Sequence, residues 1–355
     1  MKKFKNLLNE IFIDGLSGMA TGLFATLIIG TIIQQIGGFL PGAFGEMINM
    51  IGKIAASVTG VGIGCGVAVR FKESPLVIMS AATCGMMGAF AGKILAGTVL
   101  VDKAIVYAGP GEPLGAFVAA LAGIYMGRLV SGKTKVDIII TPLLSILTGS
   151  AVGLILGPPI SGFMAFLGEL INLGTQQQPF LMGIFVSVIM GIILTLPISS
   201  AALGIILNLS GLAAGAATVG CCANMVGFAA ASYRENKMNG LLAQGLGTSM
   251  LQIGNIMKKP IIWLPAIITS AILGPIATLV FNMTNNATGS GMGTAGLVGQ
   301  ITTYQTMVGA GESAVMVLFK IALLHFILPA LLSLGISEFM RKKGWILDGD
   351  MKLSV

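Results

Sequence analysis

The sequence predicts an all-α, polytopic membrane protein of about ten transmembrane helices, arranged as two related and inverted halves with a re-entrant polar segment in the second. Three observations lead there. Hydrophobic residues make up 55% of the 355 and charged residues only 9%, against about 25% charged in an ordinary soluble domain. The apolar residues fall into runs near the ~20 residues that span a bilayer. One stretch, Asn282 to Glu312, is instead polar and glycine-rich, and such backbone survives at membrane depth only when buried in protein or lining a wet cavity.

In chain order, the expected spans are Gly15 to Gln34, Ile51 to Val69, Pro75 to Leu95, Pro113 to Val130, Asp137 to Leu156, Pro179 to Leu196, Leu203 to Ala231, Gly240 to Met257, Ile261 to Phe281 and Ala314 to Glu338. Met1 to Lys5 is basic, but the apolar run behind it exceeds the ~7–15 residues of a leader, so the first span is read as retained. These runs divide the chain into a first half (1–157), a linker or re-entrant piece (158–178) with Pro158, Pro159 and Glu169, a second half (179–340) and a cytoplasmic tail (341–355). With the N-terminus inside, an even span count places Arg70, Lys72, Arg128, Lys133, Lys258, Lys259, Arg341 and Lys342 in the bacterial cytoplasm with both termini, and leaves Lys103, Arg234 and Lys237 outside. Gly22, Phe24, Thr26, Ile28 and Gly30 recur in order as Gly183, Phe185, Ser187, Ile189 and Gly191, and Arg70 to Glu73 is echoed by Ser232 to Glu235. Repeats of this kind are inverted when an odd number of spans separates them.

The net charge of +7 is scattered through short loops and marks topology, with no stripe suited to nucleic acid. Cys65, Cys84, Cys221 and Cys222 lie in apolar runs without metal spacing and are read as packing residues. The Gly60, Gly62, Gly64, Gly66 run lacks the acidic partner of a dinucleotide site. With a single histidine and no phosphate loop, no catalytic constellation assembles, and no cofactor or metal is expected.

The candidate binding residues are the polar groups set in this apolar background. Glu112 and Glu312 each follow Gly-x-Gly at the head of an apolar run, and an intramembrane carboxylate is a functional candidate by default; the competing reading is a helix N-cap. Gly309 and Gly311 would let backbone approach a ligand. His325 is the one histidine; about 100° per residue turns it roughly 140° from Glu312, so the two need not share a wall. Gln300, Gln305 and Asn224 add hydrogen-bonding capacity. Gln244, Thr248, Gln252 and Asn255 keep helical spacing and would form a polar stripe, while Lys320 could neutralise a carboxylate.

Taken together, the Lys-rich start with Asp14, Gly15, Gly18, Met19, Gly22 and Phe24, the Gly60–Gly66 run with Arg70 and Lys72, the Cys221, Cys222, Asn224 region with Arg234, and Gly309 to Glu312 resemble the IIC-type permeases of the phosphotransferase system, in the small branch that includes the perfringolysin O regulatory protein. The resemblance implies a sugar or polyol permease, commonly a homodimer, with acidic and histidine side chains at the sugar, for which Glu112, Glu312 and His325 are nearest. It also implies separate IIB and IIA proteins for phosphoryl transfer, since spans and loops consume the chain. The glutamate motif of the glucose-type permeases is absent. A membrane sensor that regulates gene expression, or an ion- or proton-coupled carrier, are the alternatives.

Overall fold

The computed structural model describes residues 2–101, 104–107 and 109–353, so the expectation for Lys103 falls outside the described residues. The chain forms two compact units, Met1–Met164 and Ala165–Val355, and the boundary falls inside the 158–178 segment. Among the described residues, six helices are long and apolar enough to cross a membrane, or seven if one bent pair counts as a span. The chain is therefore a multi-pass membrane protein, with fewer straight spans than the ten expected.

The first unit contains α1 (Asn6–Phe39), the pair α2 (Gly42–Ser57) and α3 (Thr59–Arg70) bent by 51°, α4 (Pro75–Ala89), α5 (Pro113–Val130) and the start of α6 (Asp137–Thr175). A short β1–β2 hairpin pairs Leu100–Val101 with Ala104–Ile105. Glycines decide how close these helices come. A Cβ on Gly22 would stand 2.0 Å from the Gly62 carbonyl oxygen, and one on Gly64 2.1 Å from that of Ala81, so α1 meets α3 and α3 meets α4 backbone to backbone, as close membrane packing requires. Gly22→Leu is expected to destabilise the protein by about 1–3 kcal/mol, the usual range for overpacking. Leu at Gly38, where a Cβ meets nothing within 4 Å, is the matched control for thermal unfolding in detergent. At one end of the unit Arg128 pairs with Glu10 (2.5 Å) and with Glu73, and Arg70 with Asp14 (3.5 Å).

α6 runs on through Pro158 and Pro159 to Thr175, so the segment expected as a linker is helical and continuous with the span before it. Each proline removes one helical N–H donor, a loss that membrane helices tolerate.

The second unit holds the end of α6, α7 (Pro179–Thr195), α8 (Gly211–Ala231), α9 (Pro260–Val280), α10 (Val298–Gly309) and α11 (Ala314–Lys342). α8 is its axis, buried along most of its length and packed against α7, α9 and α11. Two expected spans are replaced by broken structure. Leu203 to Ala231 is interrupted where Asn208 (φ 48°) and Gly211 (φ 60°) take left-handed conformations. Gly240 to Met257 is not a span. Tyr233–Leu242 leads into a wide turn at Ala243–Gly247, Thr248 is extended (φ −162°, ψ 141°), and Ser249–Gln252 and Ile253–Lys258 return.

Both ends of that excursion lie at the same end of the unit. Glu235 pairs with Arg341 (2.7 Å), Arg234 with Glu338 (2.6 Å) and Lys259 with Asp350 (2.6 Å). The expectation that Arg234 lies across the membrane from Arg341 is thereby corrected: an apolar-length ruler counts a hairpin that enters and leaves one face as a crossing. Arg234, Lys259 and Arg341 share one basic end.

The chain beyond α11 folds back onto that end as a strap, Trp345–Leu353, burying Ile346 and Met351. Burial raises the Asp350 carboxyl, but the Lys259 hydrogen bond, the Leu347 N–H and the charges of Lys259 and Arg341 outweigh it and hold the group below its ordinary value. A carboxyl lowered in the fold stabilises above its unfolded pKa of about 3.9, and loses that contribution as pH falls through the folded value. Acidification below about pH 4 is expected to loosen the strap, read as a change in Trp345 emission, and Asp350→Asn should remove that pH dependence.

Candidate functional site

The polar segment after α9 is the second excursion of this unit. Asn282 (φ 47°) turns the chain, and Asn285 fastens it to the head of α8. The Asn285 N–H donates to the Gly211 carbonyl (3.2 Å), and its side-chain amide donates to Thr218 (2.8 Å) and to the Gly299 carbonyl (3.2 Å). The chain then descends along α8. A Cβ on Gly293 would lie 2.8 Å from that of Cys221, and the Thr294 hydroxyl is 3.5 Å from the Met225 sulfur. Gly293, Gly296 and Leu297 are all left-handed (φ 53°, 54° and 59°), and this tight reversal sends α10 back past Thr218 and Cys222. Met283, Asn285, Ser290, Gly291, Thr294 and Ala295 are buried: irregular backbone enclosed by protein, as the composition of the segment requires.

The two hairpins meet. The turn Ala243–Gly247 of the first packs against Ala295–Leu297 of the second. Ser249 of the first is 2.7 Å from Thr195, whose hydroxyl also donates to Asn224 midway along α8 (3.3 Å).

Beside this junction, also midway along α8, lies an unusual polar cluster. The Gln300 amide nitrogen is 3.0 Å from His325 Nδ1 and 3.4 Å from Cys222 Sγ. His325 is 0% and Gln300 7% exposed. With the amide donating, the imidazole is neutral and carries its proton on Nε2. His325 Nε2, Gln300 Oε1 and Thr303 Oγ1, one turn further along α10, are buried without a hydrogen-bond partner among the described residues. Of the other buried side-chain atoms in that condition, Glu235 Oε2 and Arg341 Nε belong to one ion pair and Ser145 Oγ stands in the first unit, so only this place gathers several. Each unpaired buried polar group costs about 1–3 kcal/mol. The three atoms are a donor, an acceptor and a hydroxyl, and all three groups are neutral. His325 sits where α11 widens over Ala322–Ile327, a distortion common at functional positions. Val219, Leu273, Met307, Val317, Ile321 and Leu324 belong to one buried apolar cluster of this unit, three of them, Val317, Ile321 and Leu324, on the same helix as His325.

The remaining sequence candidates are distributed as follows. Asn224 is fully buried and satisfied, donating to the Gly220 carbonyl and Ser270 and accepting from Trp263 (2.9 Å). Gln244 donates to Ser232 and the Gly240 carbonyl and accepts from Gln252, which accepts from Asn255. Gln244, Gln252 and Asn255 of the expected stripe form a hydrogen-bonded chain, but on a broken backbone, and Thr248 instead accepts from the Met250 N–H (3.1 Å). Glu312 is half-exposed and held by Lys320 at 2.6 Å, the neutralisation read from the sequence. Gln305, Gly309 and Gly311 are exposed, with Gly311 left-handed (φ 95°). Glu312 and His325 have separate partners. In the first unit Glu112 accepts from the Leu114 N–H at the head of α5 (3.4 Å), the capping geometry weighed against function. Sequence reasoning missed Thr303, although its three-residue spacing from Gln300 places both on one helical face. A groove of about 510 Å³ beside Gly37, Gly45, Glu46 and Lys53 contains none of these residues. No group of three metal-ligating side chains occurs among the described residues.

A family model described as phosphotransferase system, EIIC, matches residues 13–353. No curated protein matches the chain.

Proposed function

The chain belongs to the phosphotransferase system EIIC family, membrane permease components of sugar phosphotransferase systems, and from that premise we propose that it carries an uncharged sugar or polyol by alternating access. The observation that supports this most is the neutral group of Gln300, Thr303 and His325 beside the middle of α8, where two hairpins meet, whose Oε1, Oγ1 and Nε2 have no hydrogen-bond partner among the described residues. Transporters bind at such midpoints, where discontinuous helices replace straight ones. Asn224 and Gln244 act as positioning residues through their hydrogen-bond chains. Glu312 with Lys320, flanked by Gln305, Gly309 and Gly311, forms the mouth of the path. Glu112 serves the first unit in a corresponding role at the head of α5.

Phosphoryl transfer resides on separate IIB and IIA proteins, and the permease works as a homodimer in the bacterial plasma membrane with both termini cytoplasmic. The basic end formed by Arg234, Lys259, Arg341 and Lys342 is the cytoplasmic one by charge. A reading of the halves as related is supported by Glu73 and Glu235, which correspond in the sequence repeat and are each paired with an arginine from a later helix of their own unit, Arg128 and Arg341. Uptake of labelled neutral hexoses and polyols into proteoliposomes tests the reading. Saturable uptake of one of them supports it; binding without movement across the bilayer would instead make the protein a sensor.

A further inference from the structure

The strap is bound to the first hairpin as a peptide is bound to a receptor. Asn236, on the outgoing arm, donates its amide to the Met351 carbonyl (2.8 Å) and accepts from the Leu353 N–H (2.8 Å), a two-point pairing of one carboxamide with main chain. Gln252, on the returning arm, donates to the same Met351 carbonyl (2.9 Å), and Asn255 donates to that of Lys352 (2.9 Å). One carbonyl therefore joins the two arms at their base. The Met351 side chain is 0% exposed among Phe228, Ile256, Ile262 and Met340, and Asp350 reaches Lys259.

We propose that the base of this hairpin is a recognition groove for a turn-forming peptide segment carrying an acidic residue followed by methionine, filled in cis by residues 345–353, whose turn is closed by the Asp350 N–H on the Leu347 carbonyl and the Lys352 N–H on that of Gly349, and that the strap is a releasable latch holding the hairpin shut. Recognition is through main chain, one buried methionine and one ion pair, so a second peptide of the same pattern competes for the groove. The gating half of the inference has a route on the page: Gln252 bonds Gln244, Gln244 adjoins the Ala243–Gly247 turn, and that turn packs on Ala295–Leu297 just before Gln300.

The test uses the full chain carrying Met351→Cys, with alkylation at position 351 followed by mass spectrometry. We expect slow labelling that rises at least tenfold on adding Asn236→Ala or a saturating synthetic peptide of residues 344–355, and no rise with that peptide carrying Met351→Asp. Equal rates under all conditions overturn the groove. In a second arm, the full chain carrying Met351→Asp, whose own strap is weakened, should bind the labelled native peptide and bind its Met351→Asp form at least tenfold more weakly; equal binding of both overturns the recognition. Alkylation of native Cys222 should accelerate with release of the strap, and an unchanged rate there overturns the latch. Only this last readout rests on the proposed solute site, so failed transport and a failed groove are distinguishable.

Discussion

Gln300→Leu is expected to weaken solute binding by tenfold or more while lowering the stability of the fold only slightly. The reasoning turns on an asymmetry. Gln300 gives one hydrogen bond to His325 and keeps Oε1 free of any partner within the described residues. A hydrogen bond contributes about 0.5–1.5 kcal/mol net, whereas an unpaired buried group costs about 1–3 kcal/mol. Leucine removes the unpaired Oε1 but leaves His325 Nδ1 without its donor, so the number of unpaired buried atoms is unchanged and stability falls by the one lost hydrogen bond, about 0.5–1.5 kcal/mol, while the solute loses its acceptor and the tautomer of His325 is no longer fixed. Thr303→Val should weaken binding less, because it deletes one hydroxyl. His325→Gln should retain part of it by keeping a donor. Isothermal titration of each variant with the transported sugar, alongside thermal unfolding in the same detergent, separates lost recognition from lost folding.

Arg341→Ala is expected to destabilise the second unit by about 3–5 kcal/mol, the range for removing one partner of a buried ion pair. Arg341 and Glu235 side chains are 7% and 6% exposed, and the guanidinium also donates to the Ala231 and Leu347 carbonyls. Loss of the arginine therefore leaves a buried carboxylate at the base of the hairpin and frees the strap. Arg341→Met combined with Glu235→Leu should recover most of the loss, since apolar replacement of a whole buried pair is often neutral or better. Urea or thermal unfolding of the single and double variants gives the comparison, and a double variant no better than the single one would show that the hydrogen bonds to backbone, not the pairing, hold this end.

Membrane class and family were legible in the sequence because both depend on bulk properties, apolar run length and glycine placement, that no single contact alters. Span count was less so. The Gly240 to Met257 run is mostly apolar and close to spanning length, yet Gln244 and Gln252 in it are satisfied by one another and by Met351, about a hundred residues on. Such distant partners are what make a hairpin possible, and a local ruler does not see them. Asn282 to Glu312 was recognisable because its polar residues are too many to be hidden by pairing. At the site itself, His325 and Gln300 were each conspicuous as polar groups in apolar surroundings, but they stand on different helices 25 residues apart, and their meeting is a product of packing. The glutamates drew attention for the sound reason that charge is expensive in lipid. Glu312 meets that expense with Lys320 and Glu112 caps a helix, so their prominence in the sequence reflected chemistry of the helix ends as well.

The central claim is that a neutral, hydroxyl-bearing solute sits against Gln300 and His325 between the hairpin tips. Cys222 lies 3.4 Å from the Gln300 amide nitrogen, so its alkylation by a small uncharged maleimide in the bilayer reports occupancy directly. The account expects the transported sugar to slow that reaction severalfold at saturating concentration, and to lose this effect in Gln300→Leu. A sugar that is taken up at full rate yet leaves Cys222 equally reactive would contradict it.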